Sequence, residues 1–368
     1  MNWEDVIIIG GGNHHNTLGV VRALGERNIS FELITFGSET KHYVSSSKYV
    51  SKHIAFIDPN HIIKYLLERK CNDNKGIIIS CADVITEILN LNHSLLFGKY
   101  IMPGFKKSEL VQSLMDKSTM INIAKKCGID SPKVWTLPTD FAIVKYPCIT
   151  KSNLSSHGGK ETVVIFESRE QLEKFIKKQQ ASAIFAQEYI QKKEEVQFIG
   201  LSINGGDEVI IPGMTKIIRS QPNTNTGFLE YGTIVPFYKD FVDKTKMFIK
   251  NCEYSGLFSI EFIRDYSDNV YFLEVNFRND GNAWCVTKAG INLPIIWLKA
   301  SIGEDYRDEI IEPKHILMMP EFQDFKMVLQ RKLSLHKWIK DWLLTDYFME
   351  YDSQDKKPFF QYIIDKIR

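Results

Sequence analysis

The chain contains, at residues 256–278, the sequence GLFSIEFIRDYSDNVYFLEVNFR, which predicts a β-hairpin. Two stretches, about 257–264 and 270–277, are rich in aromatic and β-branched residues, and the YSDN between them is typical of a turn. A hairpin symmetric about Ser267-Asp268 would place Glu261 directly opposite Glu274, with their Cβ atoms about 4.5–5.5 Å apart. Two carboxylates this close destabilise a sheet unless a positive charge neutralises them.

The second strand of this hairpin alternates polar and apolar residues. Glu274, Asn276 and Arg278 are therefore expected on one face, and Val275 and Phe277 on the other. The carboxylate and amide oxygens suit Mg²⁺ or Mn²⁺ rather than zinc, and the guanidinium suits a phosphoryl oxygen or a carboxylate. A solvated sheet face with a cross-strand Glu–Arg pair explains the hairpin alone equally well.

Composition narrows the class of protein. The 368 residues carry a net charge of +1 and are 44% hydrophobic, as expected for a globular chain of two or three domains. This balance gives no bulk signal for nucleic acid or an anionic membrane, so neither is expected as a partner. Six cysteines without a CxxC pair indicate free thiols in a reducing compartment. With no evident signal peptide or long apolar run, we expect a cytoplasmic protein, of open oligomeric state.

The first residues predict an open α/β domain. A buried strand at 6–9, VIII, runs into three glycines at 10–12, and a helix over 16–27 leads to a second strand at 29–35. NAD binding is one interpretation, but the GxGxxG spacing fails and no carboxylate ends the second strand. His14 and His15 follow the glycines at the edge where such sheets bind ligands, so substrate contact and a solvated loop are both open.

A second group of features suits phosphate binding. A strand over 146–151 ends in Lys151 and runs into residues 152–160, SNLSSHGGK, a loop of small polar residues. Such a loop lets backbone N–H groups approach phosphate oxygens, while the lysine adds a point charge. The Walker A pattern is absent, and an ordinary hairpin loop is the alternative. Upstream, a helix over 108–128 carries Lys117 on its polar side.

These features, taken in order, resemble the ATP-grasp superfamily: a helix lysine before Gly128-Ile-x-x-Pro132, a strand–lysine–loop flap, and the Glu…Glu-x-Asn-x-Arg hairpin. Its members include biotin carboxylase, carbamoyl phosphate synthetase and D-alanine–D-alanine ligase. The chain is most similar to bacterial carboxylate–amine ligases such as D-aspartate ligase. The resemblance covers about residues 1–302. It implies an open parallel α/β domain preceding the grasp (1–104), an ATP-grasp domain of two subdomains with antiparallel sheets (105–302, flap subdomain about 135–190), and a C-terminal extension (303–368).

The resemblance also implies roles for residues at matching positions. Glu261, Glu274 and Asn276 match the metal ligands, and Arg278 matches the arginine that often follows them. Two further cations are expected to face the same region, if their strand joins the hairpin's sheet, and to add positive charge for an acidic substrate: Lys216 and Arg219.

Nucleotide contacts follow from the same resemblance. Glu195, or alternatively Glu194, matches the ribose-binding acid. The other matching positions are Lys117 and Lys151 for the phosphates, Ser156, His157, Gly158 and Gly159 in the flap, and Gln187, Glu188, Tyr189 and Ile190 at the adenine hinge.

The implied activity is the ATP-dependent joining of a small-molecule carboxylate to an amine through an acyl phosphate, with Mg²⁺ or Mn²⁺ as the metal. A nucleotide-binding partner protein that has lost turnover is the alternative from a different class.

Overall fold

The structure is a computed structural model, and it describes residues 5–37, 42–70, 74–106, 117–137, 139–152, 164–178, 184–221 and 226–367. Elements are numbered in chain order within these residues. The five cysteines found there are buried free thiols, as predicted, while Cys71 lies outside the described residues.

The first sheet confirms the predicted open α/β unit. Within the described residues it has five strands in the order β3-β2-β1-β4-β5, all paired in parallel. Its central strands are continuous apolar runs because helices cover both of their faces. The strands are Val6–Gly11 (β1), Glu32–Phe36 (β2), Lys52–Phe56 (β3), Gly76–Ser80 (β4) and Tyr100–Ile101 (β5).

A second, smaller sheet occupies the region predicted as the flap subdomain. As far as the chain is described there, it is antiparallel and has the order β7-β10-β8-β9. Its strands are Val134–Thr136 (β7), Cys148–Ser152 (β8), Ile165–Phe166 (β9) and Ile184–Glu188 (β10).

The third sheet contains the hairpin of residues 256–278. In the part of the chain that the structure describes, it has nine strands, with the path β16-β15-β11-β13-β14-β17-β18 and with β12 on β11 and β6 on β15. These strands are Gly104–Phe105 (β6), Lys192–Ile203 (β11), Glu208–Ile210 (β12), Met214–Ser220 (β13), Gly227–Gly232 (β14), Tyr254–Asp265 (β15), Val270–Asn276 (β16), Ile316–Met319 (β17) and Tyr347–Phe348 (β18).

Helices pack on both faces of the third sheet. One face buries Phe198, Phe258 and Phe262 against Phe248 of a long helix, and the other buries Leu201 and neighbours against the helix Leu293–Ser301, which also contacts β4 of the first sheet. The helices are His15–Gly25 (α1), Asn60–Glu68 (α2), Asp83–Leu91 (α3), His93–Leu96 (α4), Lys117–Lys126 (α5), Arg169–Lys178 (α6), Lys239–Asn251 (α7), Trp284–Lys288 (α8), Leu293–Ser301 (α9), Glu321–Leu329 (α10), Leu335–Leu344 (α11) and Lys357–Ile367 (α12). None of the described helices is long and apolar enough to cross a membrane.

The C-terminal segment is integrated with the rest of the fold. It adds β17 and β18 to the third sheet, and its later residues hold the fully buried Arg22 of α1. The Arg22 guanidinium donates to the carbonyls of Met349 and Glu350 and pairs with Asp355, with Nε 3.2 Å from Oδ2. Residues 303–368 therefore tie the first sheet to the third.

Candidate nucleotide and metal site

The hairpin has the predicted register at its polar end. Glu261 of β15 lies opposite Glu274 of β16, and Ser259 lies opposite Asn276. Beyond Glu261 a β-bulge shifts the pairing by one residue. Phe262 therefore lies opposite Phe272, and not opposite the residue after Phe272 as the symmetric hairpin predicted. A bulge of this kind increases the local twist, and bulges are common beside active sites.

The polar groups of the hairpin gather on one face of the third sheet. Glu261 is 3% exposed and Asn276 is 8% exposed. The Asn276 amide nitrogen lies 3.4 Å from Glu261 Oε1 and 3.2 Å from Ser259 Oγ. No cluster of three or more His, Cys, Asp or Glu suited to a metal occurs among the described residues. A site made of two carboxylates and one amide oxygen fits a hard divalent cation without such a cluster.

Arg278 follows the second strand and connects the hairpin to the first sheet. Its Nε lies 3.1 Å from Asp83 Oδ2, at the start of α3, and its Nη2 donates to Asn276 Oδ1 at 3.1 Å. Burial lowers the pKa of the guanidinium, but the charges of Asp83 and Asp280 outweigh burial and raise that pKa above its ordinary value. Arg278 is therefore a permanent positive charge, fixed against the metal-ligand candidate Asn276.

A second layer of polar residues supports this face. The sequence places residues 279–284 at the substrate pockets, but it does not predict this supporting role or the part of Gln197. Asp280 accepts from Ser259 Oγ at 2.8 Å and from the Asn282 backbone N–H. The Asn282 side chain in turn donates to Gln197 Oε1 at 3.0 Å, and Gln197 lies directly opposite Glu261 on β11. The run Asn279-Asp-Gly-Asn282 was the available signal, since small polar residues after a strand often organise a site.

The carboxyl edge of the first sheet meets this network. Asn16 donates to the carbonyls of Cys81 and Asn279, and the Asn279 side chain donates back to Asn16. His14 Nδ1 accepts the Asn16 backbone N–H and so caps α1. His15 is buried, with Nε2 3.4 Å from Thr226 Oγ1, so the solvated-loop interpretation is wrong for His15.

The glycine turn packs closely against neighbouring side chains of the first domain. A Cβ on Gly10 would lie 2.4 Å from Thr17 Oγ1, and one on Gly12 would lie 2.2 Å from the His42 ring. Gly10 and Gly12 are therefore needed for close packing, which supplies a reason for them other than a dinucleotide.

Lys216 lies on the other face of the sheet. Its strand, β13, does join the hairpin's sheet, but Lys216 pairs with Val196, and side chains alternate between faces. Gln197 and Glu261 take one face, so Lys216 takes the opposite one, where its Nζ is 3.8 Å from Glu194 and 3.6 Å from Glu230. The expectation that it faces the hairpin carboxylates is corrected by this register.

Arg219 is held by the C-terminal segment. A bulge follows Ile217 in β13, and the Arg219 guanidinium donates to both carboxylate oxygens of Asp324, at 3.0 and 2.6 Å, and to Asp341 at 2.5 Å. Its three hydrogen bonds all go to acids of the C-terminal segment, and its contribution to a site for an acidic substrate remains a prediction.

The two candidate ribose ligands lie on opposite faces. Glu195 shares the face of Gln197, and its carboxylate contacts Lys192 at 2.6 Å. Glu194 accepts from the Tyr238 hydroxyl and pairs with Arg264 at 3.1 Å. Glu195 is thus on the side of the hairpin carboxylates, and its role remains a prediction.

The predicted adenine hinge connects the second sheet to the third. Gln187 is 3% exposed, and its Oε1 has no hydrogen-bond partner within the described residues. Glu188 is paired to Lys133 by backbone and side-chain hydrogen bonds, and the Tyr189 N–H donates to the Pro147 carbonyl. Ile190 is half-buried in the connection before β11. A buried amide oxygen without a partner is the kind of group that a ligand donor can satisfy.

The phosphate side of the predicted site is described only in part. Lys117 begins α5, and Lys151 lies in β8 opposite Phe185. The flap residues Ser156, His157, Gly158 and Gly159 lie outside the described residues, so their roles remain predictions.

Solved structures with this architecture hold adenine nucleotides. No family model matches the sequence, and no curated protein matches it. N5-carboxyaminoimidazole synthetase from Staphylococcus aureus, complexed with ADP, is 18% identical with a TM-score of 0.68, over 91% of this chain and 87% of that one. L-amino acid ligase from Bacillus licheniformis is 14% identical with a TM-score of 0.64, over 85% and 79%.

A third structure adds a metal. The biotin carboxylase domain of 2-oxoglutarate carboxylase from Hydrogenobacter thermophilus, in complex with MgADP, ADP and bicarbonate, is 17% identical with a TM-score of 0.66 over 85% of this chain and 73% of that one. At identities this low, the structural similarity establishes the fold alone. The chain has the ATP-grasp fold that its sequence motifs predicted.

Proposed function

We propose that this protein is an ATP-dependent ligase that activates a carboxylate as an acyl phosphate and joins it to an amine. One observation carries the proposal: Glu261, Glu274 and Asn276 meet on one sheet face beside the fixed guanidinium of Arg278. ATP is the cofactor, and Mg²⁺ or Mn²⁺ is the metal that fits these oxygen ligands.

The chemistry requires charge to be neutralised more than it requires proton transfer. A carboxylate resists attack by an amine because it is anionic and has a poor leaving group. Transfer of the γ-phosphoryl group of ATP to the carboxylate oxygen gives an acyl phosphate and ADP. The amine then attacks the carbonyl carbon, and phosphate leaves as the C–N bond forms. Positioning and electrostatic stabilisation can supply most of the rate in such steps.

Each group of the site has a part in this scheme. A divalent cation held by Glu261, Glu274 and Asn276 would supply charge neutralisation at the phosphate oxygens. Arg278 presents a permanent positive charge to the transferring phosphoryl group or the acceptor carboxylate. Asp83 and Asp280 hold that guanidinium in place, and Asn276 accepts one of its N–H groups.

The substrates are expected to be small molecules bound between the first and third sheets. His15, Thr226 and Gly281 converge there: His15 Nε2 lies 3.4 Å from Thr226 Oγ1, and a Cβ on Gly281 would lie 3.0 Å from the same nitrogen. The α/β edge, Thr226 and the residues after Arg278 are thus adjacent, which supports a substrate recess made from all three. We place the protein in the cytoplasm, where ATP is available and buried thiols stay reduced.

The test is ADP formation across a panel of amino acids, other small carboxylates and amines, followed by mass spectrometry of the product. Glu274→Ala is expected to lower ADP formation by at least about a thousandfold, because the metal loses a carboxylate ligand. Asp240→Ala, which removes an exposed carboxylate from α7, is the matched control and should retain activity. Tight ATP binding without ADP formation on any substrate pair would contradict the ligase and favour the non-catalytic alternative.

A further inference from the structure

The helices α10 and α11 expose an apolar surface that none of the other described residues covers. In α11, residues advance by about 100° each, so Leu335, Ile339, Trp342 and Leu343 fall within a sector of about 100°. All four are exposed, Leu343 to 69%. On α10, Phe325 and Leu329 are one turn apart and exposed, and the Phe325 ring contacts Trp338 of α11 at 5.0 Å. We name this surface, residues 321–344, the helical platform.

The helical platform segregates its charges. Every residue of 321–344 is described, and its three acids, Glu321, Asp324 and Asp341, are all buried. Its lysines and arginine are all exposed: Lys326, Arg331, Lys332, Lys337 and Lys340. Lys337 pairs with Asp341 on the anchored side of α11, with Nζ 3.4 Å from Oδ2, and the other four bases carry no acid of this segment beside them on the surface, although the whole chain has a net charge of only +1.

The buried acids fix the helical platform to the sheet. Asp324 and Asp341 both accept from Arg219 of β13, and Asp324 also accepts from the Gln221 side chain at 2.6 Å. Glu321 accepts the backbone N–H of Tyr351 at 2.6 Å. In α11, Asp341 lies on the side away from the apolar sector, so the anchoring and the exposure come from opposite faces of one helix.

We propose that the helical platform docks onto an anionic lipid surface. Amphipathic helices with Trp and Leu on one face and Lys or Arg beside it lie in the plane of the membrane interface. Lipids with anionic headgroups complement the exposed bases, each of which adds to binding near the surface. This contact needs no spanning helix, and whole-chain charge counting misses it because the compensating acids are buried.

Charge also distinguishes this partner from the other candidates. A second copy packed face to face would bring two cationic surfaces together, which like-charge repulsion opposes. A nucleic acid would be attracted by the lysines and the arginine, but only two of the six exposed apolar side chains, Trp342 and Phe325, are aromatic, and the other four offer little for base stacking. Acyl chains suit aliphatic side chains.

The experiment measures co-flotation of the full chain with vesicles. Vesicles of equal phosphatidylglycerol and phosphatidylcholine should bind at least about tenfold more tightly than phosphatidylcholine alone, and binding should weaken between about 0.1 M and 0.5 M NaCl. Equal binding to both vesicles, or no binding to either, overturns the proposal.

Two double variants localise the contact. Ile339→Asn with Leu343→Asn removes apolar contacts, and Lys332→Glu with Lys340→Glu reverses two charges; each should lower binding at least about tenfold. The matched controls are Leu91→Asn with Leu95→Asn, and Lys239→Glu with Lys246→Glu, which change exposed residues elsewhere and should bind as the wild type does. Unchanged binding by both platform variants overturns the assignment. So does a concentration-dependent dimer that the apolar variant abolishes, because a second copy then covers the surface.

Discussion

Two arginines that the sequence assigned to the same task lie in different settings. Arg278 sits at the end of the hairpin, between Asp83 at the start of α3 and the metal-ligand candidate Asn276. Arg219 sits on β13 between Asp324 and Asp341 of the C-terminal segment. For both guanidinium groups, burial lowers the pKa, but the neighbouring carboxylates raise it by more. Both pKa values therefore lie above the ordinary value, and both groups stay charged.

The difference lies in what else each guanidinium contacts. Arg278 also donates to Asn276 Oδ1, so part of its hydrogen-bonding capacity is directed at the proposed metal site. Five N–H groups are available on an arginine, and Arg219 uses three of them on acids that anchor helices. A positive charge next to a carboxylate is therefore not by itself a substrate-binding charge.

The largest effect that separates the two arginines is expected in turnover. Arg278→Met should lower ADP formation about a thousandfold, near 4 kcal/mol of transition-state stabilisation, because positive charge is lost where phosphoryl charge develops. Arg278→Lys should recover part of that loss, whereas Arg219→Lys should leave turnover close to the wild-type value. Turnover of each variant is measured below its melting temperature, so that every protein compared is folded. Near-normal turnover by folded Arg278→Met would give Arg278 the same structural role as Arg219.

The next effect is expected in stability. Arg219→Met should lower the free energy of unfolding by about 3 kcal/mol, because the buried Asp324 loses its counter-charge and Asp341 keeps only that of Lys337. Denaturant unfolding of wild type and variant measures this, and Lys216→Met, which removes a half-exposed cation from the same strand, is the control. A loss below about 1 kcal/mol would show that Asp324 and Asp341 do not depend on Arg219.

The smallest effect is expected in the pH dependence of stability, and it concerns a third arginine, Arg27. The Arg27 guanidinium donates to both carboxylate oxygens of Glu309, at 3.0 and 2.8 Å. The hydrogen bond from Arg27, opposed by burial and helped by Lys299, lowers the pKa of Glu309 from 4.5 to about 2. A carboxyl whose pKa is lowered by folding stabilises the protein above its unfolded pKa. That stability is lost as pH falls from 4.5 toward 2.

Allowing for solvent screening around Arg27, we expect Glu309 to contribute about 1 kcal/mol. Glu309→Gln should remove this part of the acid dependence of unfolding, measured by thermal melts between neutral and acid pH. Identical pH profiles for wild type and variant would contradict the assignment.

Local pattern was enough to predict much of this molecule. The opening βαβ unit, the helix at 239–251 and the pairing of Glu261 with Glu274 all follow from periodicity and turn chemistry. These features depend on residues close in sequence, where alternation and turn type leave few choices.

What the sequence missed depends on contacts between distant segments. The face taken by Lys216 depends on how β13 pairs with β11, and the partners of Arg219 lie more than a hundred residues away. Burial of His15 depends on Thr226, and the role of Asp280 depends on Ser259. The bulges in β13 and β16 have no signature of their own in the sequence, because an extra residue on one strand looks like ordinary strand.

The contacts between the first sheet and the hairpin limit how this protein can be recombined with others. Arg278 with Asp83, and Asn279 with Asn16, join residues nearly two hundred or more positions apart across that boundary. A chimera that takes its N-terminal domain from another protein of this fold must therefore bring partners for Arg278 and Asn279 with it. Exchange of the domain without those two side chains would leave the hairpin arginine without its orienting carboxylate, even if both halves fold.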